Sequence, residues 1–161
     1  MNDIRHMKVY FASPWFNPDQ AEREERVKSK LRELGFNVWS PKDNCVCSPI
    51  ADEAMRIKVF NDNCENIESC DIIFAITDGK DMGTIWEAGY ANGYNAATRE
   101  YKEVMKPILI VYYCETLGPN GQFNLMLAQS GNIVITKFED LDKLPELITK
   151  GEGLAYAGIV E

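Results

Sequence analysis

The stretch DMGTIWEAGY, residues 81 to 90, sets two carboxylates, Asp81 and Glu87, six positions apart across a glycine turn. A fixed, ionised carboxylate is the group that covalent displacement at a sugar carbon requires. A second carboxyl beside it could hand a proton to the leaving group. The same stretch also supports a structural reading. Thr84 followed three residues later by Glu87 reads as a capping box, in which each side chain bonds the other's backbone N–H. On the first turn of a helix, the dipole and free N–H groups favour the ionised form of Glu87. One carboxylate can be held by a cap and still present a free oxygen, so capping and attack are compatible. On local grounds both readings stand.

Other chemistries lack their residues. The only histidine is His6, expected in a frayed amino terminus, which removes Ser-His-Asp, Cys-His and three-histidine zinc arrangements together. No G-x-G-x-x-G follows the first strand, and there is no G-x-x-x-x-G-K-[ST]; in DGKDMGT, Lys80 is followed by Asp81. The five cysteines (Cys45, Cys47, Cys64, Cys70 and Cys114) are an odd number with no zinc or redox spacing, as expected of reduced thiols used as small apolar residues. Neither a metal nor a cofactor is expected.

The 161 residues are 45% hydrophobic, which suits one domain around a single core. A net charge of −8 provides no basic face for a nucleic-acid polymer or an anionic membrane, leaving a small molecule or another protein as partner. No apolar run reaches the ~18 residues of a bilayer span. The opening MNDIRHMKVYF lacks the apolar segment and cleavage site of a signal peptide, so a cytoplasmic location is expected.

The elements that must position the carboxylates follow from periodicity. KVYFAS (8–13) reads as a first strand. Asn17-Pro18-Asp19-Gln20 opens a helix, with Asn at the N-cap and Pro at the first helical position, and Gly35 ends it. FNVWSP (36–41) is a second strand, followed by a polar loop and a helix over about 50–68. DIIFAIT (71–77) is a continuous apolar run, as in a strand buried on both faces of a parallel sheet. The helix opened by Thr84 runs to about Arg99. PILIVYY (107–113) is a further buried strand. A short helix near 123–129, a strand at NIVITKF and a helix over 139–150 complete the order. This alternation predicts one α/β domain, an open parallel five-stranded sheet with helices on both faces. Ligands of such sheets sit beyond the carboxyl ends of the strands, where strand order reverses. Residues 12–16, including Trp15 and Phe16, and residues 78–83, including Asp81 and Gly83, fall in that crevice.

Four stretches in order, VYFASPWF (9–16), SPKDN (40–44), DMGTIWEAGYANG (81–93) and FNLMLAQS (123–130), resemble the nucleoside 2-deoxyribosyltransferase family. The resemblance implies a flavodoxin-like sheet and transfer of a 2-deoxyribosyl group between nucleobases, with retention, through a covalent glycosyl-glutamate. It implies that Glu87 is the nucleophile, oriented by the Tyr10 hydroxyl, and that Asp81 contacts the base; with Asn63 standing where some relatives carry an aspartate acid, Asp81 is the preferred proton donor. Asn124, followed by Met126 in the FNLM stretch, matches an asparagine lent to the sugar hydroxyl by a neighbouring subunit, so a homo-oligomer is implied. Asp43 falls in the loop lining the base pocket, with Trp15 and Phe16 as an aromatic wall and Gly83 in the turn beside it. Deoxyribonucleosides and free nucleobases are the partners implied.

Two departures from the pattern stand out. Some relatives carry an aspartate acid where Asn63 stands, next to Asp62. Some end on a tyrosine whose terminal carboxylate reaches the site, whereas this sequence ends Gly158-Ile159-Val160-Glu161. Two rival functions remain: an N-glycoside hydrolase of deoxynucleosides or nucleotides, with water as acceptor, and a non-catalytic nucleotide-sensing domain in which Glu87 is only a cap.

Overall fold

The apolar runs become parallel strands of one sheet. The computed structural model describes residues 3–101 and 105–161. Its strands are β1 (Lys8–Ala12), β2 (Asn37–Trp39), β3 (Ile72–Ile76), β4 (Leu109–Tyr113), β5 (Gln122–Phe123), β6 (Ile133–Ile135) and β7 (Ile159–Val160). Five of them form an open parallel sheet in the order β2-β1-β3-β4-β6. The helices are α1 (Pro18–Glu33), α2 (Pro41–Asn44), α3 (Glu53–Glu68), α4 (Met82–Thr98), α5 (Leu125–Ser130) and α6 (Leu144–Lys150).

Alternation along each strand sorts the core into two layers. Val9 and Phe11 of β1, with Phe74 of β3, pack toward Val27 and Leu31 of α1 and Ile148 of α6. Tyr10 and Ala12 face the other way, with Ile73 and Ala75, against Ala88 and Ala91 of α4. Those two alanines are fully buried, and their small side chains let α4 lie close to the sheet. Tyr10 and the inner face of α4 are therefore brought together by strand parity alone.

Local signals explain most boundaries. Asn17 caps α1 by accepting from Gln20 N–H, with Pro18 in the first turn. Asp52 caps α3 by accepting from Met55 N–H, so that helix starts slightly later than the periodicity suggests. The expected helix over 139–150 divides into a 3-10 segment, Phe138–Lys143, and α6, because Pro145 has no N–H to continue a single ladder and is accommodated only in a first turn. Residues 4–6, expected to fray, form a 3-10 turn capped by Asp3, with His6 exposed before the amino end of β1, opposite the carboxyl end that faces the crevice. Two short strands went unforeseen. β7 pairs with β5, Leu125 N–H donates to Glu161 O at 3.1 Å, and the tail is folded back over the start of α5.

Strand order reverses between β1, which pairs with β2 on one side, and β3 on the other. The turn leaving β3 is strained: Gly79 has φ +83° and Lys80 φ +53°. A lysine in that left-handed region costs roughly 1–2 kcal/mol. Asp78, buried beside the turn, accepts from Glu115 N–H and Thr116 N–H at 3.1 and 2.7 Å, which fixes the turn to the end of β4. Among the described residues, no helix is long and apolar enough to cross a membrane.

Candidate active site

The cap of α4 is Asp81, not Thr84. Asp81 Oδ2 accepts from Thr84 N–H at 2.8 Å, and the helix runs from Met82. Asp81 and Thr84 are both good caps three residues apart, and the aspartate wins because the turn after Gly79 delivers it in extended backbone, at φ −65° and ψ 125°. A Cβ on Gly83 would stand 3.2 Å from Asp81 Oδ2, so the glycine keeps room beside this carboxylate. Glu87 therefore lies in the second turn, beyond the reach of a capping box. The capping explanation for Glu87 falls away.

Glu87 instead meets Tyr10. The fully buried tyrosine donates its hydroxyl to Glu87 Oε1 at 2.6 Å. Burial pushes the carboxyl of Glu87 up to about 7; the Tyr10 hydrogen bond opposes that rise and the nearby charge of Asp81 adds to it. This corrects the expectation that the helix start favours the ionised form: desolvation outweighs the dipole. Burial and then the charge of Glu87 drive the Tyr10 phenol far above its ordinary value, so it remains a donor at every working pH. The pair is a carboxylate poised to change charge near neutrality, held in one orientation by a phenol.

The pair predicts a pH profile. If the ionised carboxylate is the attacking form, kcat/KM climbs as pH rises through about 7 on its acid limb. Tyr10→Phe removes the hydrogen bond that holds Glu87 down, so the limb moves to higher pH. A rate profile of both proteins across the neutral range checks this, and an unmoved limb contradicts it.

The other expected residues are distributed unevenly. Trp39, opposite Tyr10 in the β1–β2 register, packs its ring 5.2 Å from the Tyr10 ring; the sequence reading missed it, although strand pairing could have found it. Trp15 is half-buried and Phe16 is 71% exposed, their rings 5.2 Å apart at the mouth of the crevice. Asp43 is occupied elsewhere: Oδ1 accepts from Lys28 and Oδ2 from Arg32, both at 2.9 Å. Burial would raise Asp43, but those two bonds outweigh it and hold the carboxyl below its usual range. Lys28 is itself buried against Glu24, and Lys42 reaches Glu24 Oε2 at 2.6 Å, so these charges bolt α2 to α1. Asn63, on α3, accepts from the Cys45 thiol at 2.9 Å.

Asn124 caps α5, accepting from Met126 N–H and Leu127 N–H at 3.0 and 3.4 Å. With Met126 it lines a cavity of ≈ 380 Å³ that also takes in Asp78, Lys80 and Glu161. The tail thus reaches this cavity. Neither Glu87 nor Tyr10 lines it, so within one chain the structure does not bring Asn124 onto the Tyr10–Glu87 pair. A larger hollow of ≈ 810 Å³ lies among Asp71, Leu109 and Asn132, at the amino ends of the strands and away from the chemistry of such sheets. Among the described residues, no three His, Cys, Asp or Glu side chains converge as metal ligands.

Comparison with known proteins bears on the family and the fold. The model of the nucleoside 2-deoxyribosyltransferase family matches residues 9–144. A 2-deoxyribosyltransferase from Bacillus psychrosaccharolyticus is 28% identical, with a TM-score of 0.67 over 92% of this chain and 98% of that one. Two further structures share the fold at 20% identity. One is a conserved protein of Enterococcus faecalis V583, with a TM-score of 0.65 over 87% of this chain and 98% of that one. The other is a CMP N-glycosidase of Clostridium botulinum, with a TM-score of 0.54 over 86% and 98%. No curated protein matches the sequence. The family match spans every strand of the main sheet together with Tyr10, Asp81, Glu87 and Asn124, and the chain belongs to the nucleoside 2-deoxyribosyltransferase family.

Proposed function

We propose that the protein transfers a 2-deoxyribosyl group from one nucleobase to another by two displacements at C1′. Glu87 attacks C1′ from the face opposite the base, and the bond to the base nitrogen breaks with its electron pair leaving on the base. Asp81, taking up a proton from solvent as charge develops on the departing base, passes it on through Oδ1, the oxygen that Thr84 does not occupy. A second base then attacks the glycosyl-glutamate, returns its N–H proton to Asp81 and frees Glu87. Two inversions leave the starting configuration unchanged. Tyr10 holds Glu87 in line and is relieved of none of its own proton.

The observation that carries this reading is the 2.6 Å Tyr10–Glu87 bond on a chain of this family, beside the strand reversal. Asn124 and Met126 are assigned to the sugar end of a neighbouring subunit's site. Supporting that, Met126 is 73% exposed and Leu125 46%, and their cavity lacks the nucleophile of their own chain. Hydrolysis, with water as acceptor, is the competing outcome on the same scaffold. Incubation with deoxyinosine and free adenine, followed by chromatography, separates the two. New nucleoside should greatly exceed free deoxyribose; free sugar alone at millimolar base would identify a hydrolase.

A further inference from the structure

Cys45 lies just past the carboxyl end of β2, the strand beside β1, and is therefore at the rim of the crevice. Its backbone is fixed, with Cys45 N–H donating to Pro41 O at 2.8 Å at the end of α2. The ion pairs of Lys28 with Asp43 and of Lys42 with Glu24 hold α2 in turn. From this anchored position the thiol meets Asn63 Oδ1 at 2.9 Å. Asn63 is one helical turn beyond Phe60, whose ring packs 5.5 Å from that of Trp86, the residue before Glu87. The thiol–amide pair thus stands on the wall of the crevice that faces the α4 nucleophile.

An amide can present either end to a ligand, and the bonding of the other end decides which. Sulfur accepts weakly, whereas an amide oxygen accepts well, so S–H···O is the preferred pairing over N–H···S. Burial, and then the negative charges of Asp62 and Glu87, push the Cys45 thiol up, keeping its proton in place at neutral pH. Asn63 Oδ1 is consequently engaged. Among the described residues, no group accepts from Nδ2.

We infer that Cys45 is a positioning residue that locks the Asn63 amide with its NH2 turned toward the base, so that the site favours 6-oxopurines and 4-oxopyrimidines over their amino counterparts. The inference rests on the nucleobase substrates proposed above. A fixed donor pairs with the exocyclic oxygen of hypoxanthine or thymine. Against the amino group of adenine or cytosine it sets donor against donor, leaving both groups unpaired.

Calorimetric binding of the four free bases tests this without turnover. The protein should bind hypoxanthine over adenine, and thymine over cytosine, by roughly tenfold in each pair. In Cys45→Ala the amide is free to turn, and both ratios should fall to within about twofold. Cys45→Ser fills nearly the same space, but its hydroxyl accepts as readily as it donates, so the ratios should fall there too; a thiol that served only to fill space would keep them in the serine variant. Asn63→Asp, with no donor when ionised, should abolish the oxo preference by a second route if the alanine variant folds poorly. Unchanged ratios in folded Cys45→Ala overturn the inference, as does a protein that binds the bases without preference or not at all. Selective binding with no nucleoside product would leave the inference standing and remove the transferase reading instead.

Discussion

Glu87→Ala should lower turnover by at least ~10³-fold while leaving the fold intact, as removal of a covalent nucleophile does. The loss of a cap alone would cost about 1 kcal/mol of stability and leave turnover nearly unchanged; because Asp81 holds that cap, even this cost should be absent. Glu87→Gln sharpens the test. The folded carboxyl titrates at about 7 against an ordinary 4.5, so the folded chain holds this proton more tightly than the unfolded chain does. Below pH 4.5 both states are protonated and burial of the ionised form costs nothing. As pH rises to about 7 the wild type loses stability, and above that the loss is constant. A shift of this size corresponds to at most ~3 kcal/mol, and screening through the open crevice lowers it to ~2 kcal/mol. The Gln variant should lack this decline, and above neutrality it should be inactive yet more stable than wild type. Denaturant unfolding at pH 4 and pH 8, beside a turnover assay, measures both effects. Full activity in the folded Ala variant would remove Glu87 from the chemistry.

Mixing two inactive variants should regenerate activity. Glu87→Ala lacks the nucleophile and Asn124→Ala lacks the contact assigned to a neighbour's sugar, so each is severely impaired as a pure oligomer. Refolded together, they form hybrid pairs across a two-fold interface in which one site carries both defects and the other carries neither. With random equal pairing half of the pairs are hybrids, so about a quarter of all sites are intact. Activity should rise toward that fraction of wild type, and only after subunits exchange. Hybrids detected by native mass spectrometry with no gain in activity would return Asn124 to its own chain, where it caps α5.

The sheet was legible because its determinants are local and redundant. The fully buried run Ile72–Ile76 can be little other than an inner parallel strand, and Asn17-Pro18 marks a helix start with two independent signals. The α4 cap was misread because Asp81 and Thr84 are equivalent in local grammar, and only the geometry of the turn at Gly79 and Lys80 separates them. Strands of two residues, such as β5 and β7, carry no period to detect. Within the site, the resemblance pairs Tyr10 with Glu87 and a hydrogen bond joins them in the structure, while the rise in the Glu87 carboxyl depends on burial that no local pattern encodes. Asp43 illustrates the converse. Its position in the loop suggested a base contact, but Lys28 and Arg32 lie 15 and 11 residues away in the chain and occupy both of its oxygens. The Cys45–Asn63 pair joins residues 18 apart, and neither side chain is informative without the other.

Trapping the covalent intermediate tests the account most directly. The protein, mixed rapidly with a deoxynucleoside in the absence of acceptor base and quenched in acid, should gain the mass of one deoxyribosyl group. Digestion with trypsin should place that mass on the peptide between Lys80 and Arg99, and fragmentation should assign it to Glu87 rather than Asp81. Free base added before the quench should discharge the adduct into a new β-nucleoside. An adduct on any other side chain, or product of inverted configuration formed with no adduct at all, would contradict the mechanism.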